Sequence, residues 1–135
     1  MTKKIIGRGW VYEDTDASCV GRIPTADGTN LVQADIDGTT NQEISYSVYD
    51  LNSDNPRTAY ATGTFAKTAV IFDTLQTDGW WANQDETGYN FRATIDADDL
   101  PEGGTLARIE FSCNTLSFGP IRWRFDVRVR EVLSA

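Results

Sequence analysis

The sequence predicts an all-β protein, a single-domain antiparallel β-sandwich of about seven to nine strands. Two observations support this prediction. Apolar and polar residues alternate with a period of two in several segments, and turn-forming residues separate those segments. No segment longer than about ten residues shows the 3.6-residue periodicity of a helix. The length of 135 residues fits one domain. A closed barrel remains the alternative, because periodicity alone does not separate the two architectures.

Three strands are predicted in the first half of the chain. A leading strand surrounds Trp10 and Tyr12, and residues 18–23 form the second. Residues 43–49 form the third, because apolar side chains alternate there with two serines. Asp-Gly pairs at 27–28 and 37–38 provide turns, and residues 31–36 are predicted to form one short helical turn.

Five further strands are predicted from residue 59 onward. The last has the clearest alternation, since Trp123, Phe125 and Val127 share one face and arginines occupy most of the other. A short helical turn is expected at residues 96–100. The predicted strands are residues 59–65, 69–73, 87–95, 107–113 and 121–130.

Composition excludes several kinds of site. The chain has no His, so it can form neither a Ser-His-Asp or Cys-His pair nor a His-ligated zinc site. Two cysteines cannot form a four-thiolate metal site. We interpret Cys19 and Cys113 as buried free thiols, and a disulfide between outer strands is the alternative that the sequence leaves open. We therefore predict no enzymatic activity and no cofactor or metal.

The charge balance bears on partners. A net charge of −8 argues against nucleic-acid phosphate as a ligand. No apolar run approaches the roughly 20 residues of a membrane span, so we expect no membrane contact. The first residues lack an apolar stretch of signal-peptide length, so we expect no Sec-type export.

Basic residues concentrate at the two ends of the chain. Residues 1–104 carry seven basic and 17 acidic residues, whereas residues 105–135 carry five basic and three acidic. We therefore divide the chain into an N-terminal basic arm with the leading strand (1–16) and the sandwich domain (17–135). Two interpretations stay open: contact with an acidic partner or neighbouring copy, or a solvated strand face whose arginines pair with nearby acids. The basic interface candidates are Lys3, Lys4, Arg8, Arg122, Arg124, Arg128 and Arg130.

Aromatic residues complete the list of interface candidates. Trp10 belongs to the leading strand. Trp80 and Trp81 are adjacent, and neighbouring strand residues face opposite ways, so at most one of them is expected to be fully buried. The other is interpreted as a cover for an open end of the sandwich, an interface anchor or a sugar-stacking platform.

Acidic clusters allow two weaker interpretations. Residues 33–44 partly match a calcium-binding loop around Gly38, but Gln33 and Ile44 stand where two acidic ligands belong, so a polar turn is preferred. Acidic pairs at 14–16 and 96–99 would suit a hydrolase only if two carboxylates faced each other across a cleft.

Several stretches in this order resemble a known family. They are residues 21–31, 44–51, 70–78 and 87–92, followed by a turn at 100–104 and strands at 106–113 and 121–129. Together they resemble small immunoglobulin-like β-sandwich proteins of tailed-bacteriophage virions. The resemblance covers roughly residues 17–130 and carries over no catalytic residues. The polar stretch at 37–42 and the basic first eight residues depart from the family pattern.

This resemblance implies a virion structural protein made in the host cytoplasm. The first hypothesis is a capsid decoration (cement) protein, present in many copies, that binds assembled capsid through its N-terminal arm and sheet edges. Its partners would be the major capsid protein or other virion proteins. A neck or baseplate component and a carbohydrate- or surface-binding module are the alternatives, and a small hydrolase is a third class.

Overall fold

The computed structural model describes residues 2–132, and nine strands account for about half of them. The short helical segments are one α-helical turn, α1 (Lys67–Val70), and 3-10 turns at Gln33–Asp35, Gly79–Trp81 and Ala97–Asp99. The strands are β1 (Thr2–Ile5), β2 (Arg8–Tyr12), β3 (Asp16–Gly21), β4 (Ile44–Asp50), β5 (Ala59–Phe65), β6 (Ile71–Gln76), β7 (Tyr89–Ile95), β8 (Thr105–Thr115) and β9 (Gly119–Arg130).

The strands form two sheets, so the predicted all-β class is confirmed and the arrangement is compatible with a sandwich. A four-stranded sheet has the order β1-β3-β7-β6, and a five-stranded sheet has the order β2-β9-β8-β4-β5. Most neighbours are antiparallel. Two pairs, β1 with β3 and β2 with β9, are parallel.

One apolar core lies between the sheets, because alternate residues of both point inward. Phe91 of the four-stranded sheet packs edge-to-face on Phe111 of the five-stranded sheet, with ring centroids 4.8 Å apart. Both cysteines are buried in this core as free thiols, as interpreted from the sequence. Burial raises the pKa of Cys113 to about 11, and that of the fully enclosed Cys19 rises further.

The N-terminal segment contributes a strand to each sheet. A turn at Gly7, which has a φ of +73°, reverses the chain between β1 and β2. Ile5 and Val11, one on each strand, are buried in the common core. The segment treated as a basic arm therefore supplies core side chains as well as surface charge.

Two local predictions need correction. Residues 69–73 were expected to be one strand, but Lys67–Val70 form a helical turn and the strand starts at Ile71. Trp80 and Trp81 were treated as strand residues, yet both belong to the 3-10 turn Gly79–Trp81. In residues 2–132, no helix has the length and apolar character needed to cross a membrane.

Candidate protein-binding face

The outer surface of the five-stranded sheet is rich in arginine. β9 and β8 are antiparallel neighbours, and β2 adds its own outward side chains beside β9. Of the twelve basic and twenty acidic residues in the chain, strands β2, β8 and β9 place six basic and two acidic ones on this surface. We call it the arginine face, and it comprises Arg8, Trp10, Tyr12, Arg108, Glu110, Arg122, Arg124, Asp126, Arg128 and Arg130.

Few of these arginines are paired with an acid. Arg108 forms an ion pair with Asp126 at 2.9 Å, and this hydrogen bond raises the pKa of the guanidinium. Glu110 lies opposite Arg124 in the register without forming a salt bridge. Across residues 2–132, the remaining salt bridge joins Arg22 to Asp85, away from this face. Intramolecular pairing therefore accounts for Arg108 alone on the arginine face.

Trp10 is the aromatic centre of the face. The Lys3 ammonium lies 2.9 Å from the centroid of the Trp10 ring, and the Arg130 guanidinium carbon lies 4.1 Å from it. Tyr12, 49% exposed, meets the same indole edge-to-face at 5.0 Å between centroids. Burial, and then the nearby charge of Arg130, lowers the pKa of Lys3. Two cations thus share one indole, and a carboxylate placed between them would relieve their repulsion.

The shape of the face suits contact with another surface. An open surface pocket of about 480 Å³ is lined in part by Trp10, Leu106 and Arg128. Guanidinium groups bind carboxylates through two parallel hydrogen bonds, and aromatic rings provide apolar contact area. The arrangement is therefore chemically suited to an acidic protein surface.

The other predicted interface residues lie on β1 and in the segment that joins β6 to β7. The Lys4 ammonium donates to the carbonyl oxygens of Gly79 and Ala82, each at 3.4 Å. Trp80 and Trp81 lie in the same segment, residues 77–88, which we call the tryptophan flap. The structure thus separates the predicted candidates into two groups: Lys3, Arg8, Trp10 and the four C-terminal arginines on one side, and Lys4, Trp80 and Trp81 on the other.

The tryptophan flap is held together by Asp85. Its carboxylate accepts hydrogen bonds from the Trp81 indole N–H at 3.0 Å and from the backbone N–H groups of Thr87 and Gly88. It also pairs with Arg22 at 2.9 Å, and this bond, with the others, holds the pKa of Asp85 well below its ordinary value.

Only one of the two tryptophans keeps an accessible ring. Trp81 is 8% exposed and packs on Tyr89 and Val20 in a small second core. Trp80 is partly exposed, with the Arg92 guanidinium 5.1 Å from its ring centroid. The expectation that at most one would be buried is confirmed.

The acidic clusters serve local structure. The Glu43 carboxylate accepts from the backbone N–H groups of Asn41 and Lys67, and the Lys67 ammonium donates to the carbonyls of Ile36 and Gly38 at 3.1 and 3.0 Å. A lysine therefore occupies the region in which a calcium ion was considered. Within residues 2–132, no group of three or more Asp, Glu or Cys side chains is arranged to hold a metal.

Three carboxylates of the acidic pairs considered for a hydrolase are similarly engaged, whereas Asp14 and Asp98 line one surface pocket of about 220 Å³. Asp16 accepts from the backbone N–H of Ala97 at 2.8 Å, Asp96 caps the following 3-10 turn, and Asp99 accepts from the Tyr46 hydroxyl at 2.9 Å.

Besides the acidic Glu110 and Asp126, two members of the arginine face were not among the interface candidates predicted from the sequence. Tyr12 shares the outward parity of Trp10, and Arg108 alternates with the buried Ala107 and Ile109. Alternation alone could have identified both. That β2 lies beside β9 could not be read from the sequence, because parallel pairing of distant segments leaves no local signal.

Comparison of the chain with protein-family models, curated proteins and solved structures finds no match.

Proposed function

We propose that this protein is an accessory structural protein of a tailed-phage virion, a capsid-decorating protein that docks through the arginine face on an acidic protein surface. The observation that carries the docking is that five arginines of this face have no acidic partner among the described residues, and that three of them, Arg8, Arg128 and Arg130, lie around a partly exposed Trp10. The virion context is supported by the sequence resemblance of residues 17–130 to phage sandwich proteins.

The strand order supports an immunoglobulin-like topology for the sandwich. Such domains pack strands B, E and D of one sheet on C, F and G of the other. Here β3, β7 and β6 stand in the first set of positions and β4, β8 and β9 in the second, with β5 extending the second sheet next to β4. The departure is β1, which runs parallel to β3.

The residues of the arginine face are of the types that bind another protein surface. Arginines guide encounter and fix orientation, whereas a desolvated aromatic residue supplies a larger share of the affinity. Trp10 and Tyr12 are the aromatic anchors, and Arg128 lies opposite Trp10 in the parallel register. Attachment by this face would be sensitive to salt, because exposed charges are screened beyond about 10 Å at 0.1 M salt.

The proposal predicts that the protein is a multi-copy component of particles. Mass spectrometry of particles purified from the source culture should detect it alongside the major capsid protein. Particles that contain none of it would contradict the virion role.

Matched tryptophan variants test the docking face on the same particles. We expect Trp10→Ala to weaken binding about tenfold or more, since buried interface tryptophans commonly contribute upward of 1.4 kcal/mol. Trp80→Ala, in the tryptophan flap away from the arginine face, is the control and should bind normally. The reverse pattern would favour the carbohydrate-binding alternative. In that case Trp80→Ala would lose binding to polysaccharide, and Trp10→Ala would keep it.

A further inference from the structure

The outward side chains of β9 form a regular row of charges within the arginine face. Arg122, Arg124, Arg128 and Arg130 are exposed, and the half-buried Asp126 separates them into two pairs. Alternate side chains of a strand face the same way and repeat about every 6.7 Å. We call these five residues the arginine row.

The four arginines of the row have no acidic partner within residues 2–132. Asp126 is held by Arg108 of β8 at 2.9 Å, so its charge is already compensated. Glu110, also on β8, lies beside Arg124 in the register and forms no salt bridge with it. Four guanidinium groups thus remain available in a fixed order along one strand, and such groups bind carboxylates through two parallel hydrogen bonds.

We propose that the arginine row binds an extended acidic segment of a partner protein. In this segment, acidic residues stand at the first, third, seventh and ninth of nine consecutive positions, and the fifth, which lies over Asp126, is uncharged. An extended chain repeats its side chains at the same interval as β9, so each acidic residue meets one arginine. Sheet twist turns the row, and the long arginine side chains follow the segment across it.

This inference rests on the proposed function, because it names the group that the arginine face binds on the acidic protein surface. The second pair of the row offers apolar contact as well as charge. Trp10 lies beside Arg128 in the parallel register, and Tyr12 lies beside Arg130. Aromatic side chains supply much of the affinity of protein interfaces, so the segment would be held most firmly at this end.

A protein segment fits the row better than a single nucleic-acid strand does, although both carry charges in a line. A strand of nucleic acid is charged at every nucleotide, and the net charge of −8 on the chain opposes its approach. Single strands also bind by stacking their bases on aromatic rings. Lys3 and Arg130 already contact the Trp10 ring and occupy the positions that a stacked base would take.

Two nine-residue peptides of identical composition test the spacing. The spaced peptide is Glu-Ser-Glu-Ser-Ser-Ser-Glu-Ser-Glu, and the clustered peptide is Ser-Ser-Glu-Glu-Glu-Glu-Ser-Ser-Ser. Consecutive residues of an extended chain face opposite ways, so only two glutamates of the clustered peptide reach the row. We expect the spaced peptide to bind about fivefold more tightly at about 0.02 M salt, since each exposed ion pair contributes little. An NMR titration measures both affinities and shows whether the shifted signals belong to β9 and its neighbours.

Matched double variants test the row itself. Arg122→Gln with Arg124→Gln removes one pair, so each peptide then has two ion pairs to form and the two affinities should become equal. Asn55→Asp with Asn83→Asp makes the same change in net charge at exposed positions outside the arginine face, and it should keep the preference for the spaced peptide. Circular dichroism checks that each variant is folded.

Three results would overturn the proposal. They are equal affinities of the two peptides for the wild-type protein, a preference that survives in the double arginine variant, and tighter binding of a nine-nucleotide oligothymidylate than of the spaced peptide. If the peptides bind equally while Trp10→Ala still loses binding to particles, the proposed function stands and the segment alone is rejected. If the spaced peptide is preferred but Trp10→Ala binds particles normally, the result counts against the capsid role instead.

Discussion

Asn90 has a structural role that the alternation of apolar and polar residues does not predict. The period-two pattern places it on the wet side of β7, yet it is only 1% exposed. Its amide oxygen accepts from the Ile23 N–H at 2.7 Å, and its amide nitrogen donates to the carbonyls of Ile23 and Leu31 at 2.9 and 2.8 Å. One side chain thus satisfies three backbone groups of an irregular segment. The sequence predicted β7 but gave no sign of this clamp, because the partners lie about sixty residues away along the chain.

We expect Asn90→Ala to lower the free energy of unfolding by about 3 kcal/mol, because each buried polar group left without a partner costs roughly 1–3 kcal/mol. Asn55→Ala, in an exposed loop, is the matched control and should change stability by less than about 0.5 kcal/mol. Urea unfolding followed by tryptophan fluorescence measures both. Equal midpoints for the two variants would show that the clamp is dispensable.

Among the elements, the strands with the most regular alternation were predicted best. β4, β5, β7, β8 and β9 fall within two or three residues of the expected segments. β1 was missed because four residues with two lysines carry too short a pattern. The predicted position of β6 was shifted toward the N-terminus, because the apolar run at 69–73 is divided between a helical turn and a strand.

The tryptophan flap is held in large part by the Asp85 carboxylate, so its stability depends on pH. Asp85 has a pKa below its ordinary value of 3.8, chiefly because of the hydrogen bond from Arg22. A depressed pKa contributes stability that is fully present above the unfolded-state value and is lost as pH falls below it. We expect Asp85→Asn to melt a few degrees below wild type at pH 7, and the gap to narrow as pH falls below about 4.

Thermal melts of the two proteins across that pH range measure the gap. Asp54→Asn, in an exposed loop, controls for the change in net charge and should follow wild type throughout. A gap that stays constant down to acidic pH would mean that Asp85 stabilises the flap by packing rather than by charge.

Charge segregation is a property of the whole molecule. The sequence showed that both ends of the chain are basic and the middle is acidic, which predicted part of the arginine face. It could not show that Arg8 and Trp10 join that face, since the parallel register of β2 and β9 connects residues more than a hundred positions apart. Nor could it show that so few of the arginines would find an acidic partner, because pairing depends on side-chain geometry across the sheet.

A negatively charged protein with one basic face should bind two opposite kinds of charged support. We expect retention on an anion exchanger at pH 7, as the net charge of −8 requires, and also on a sulfonate cation exchanger at about 0.02 M salt, where screening extends over roughly 20 Å. Replacing Arg128 and Arg130 by Gln should abolish retention on the sulfonate resin. Asn55→Asp with Asn83→Asp makes the same change in net charge at exposed positions outside the arginine face, and it should leave retention intact. If both double variants elute alike, the local face does not govern binding, and the net charge alone explains how the molecule meets charged surfaces.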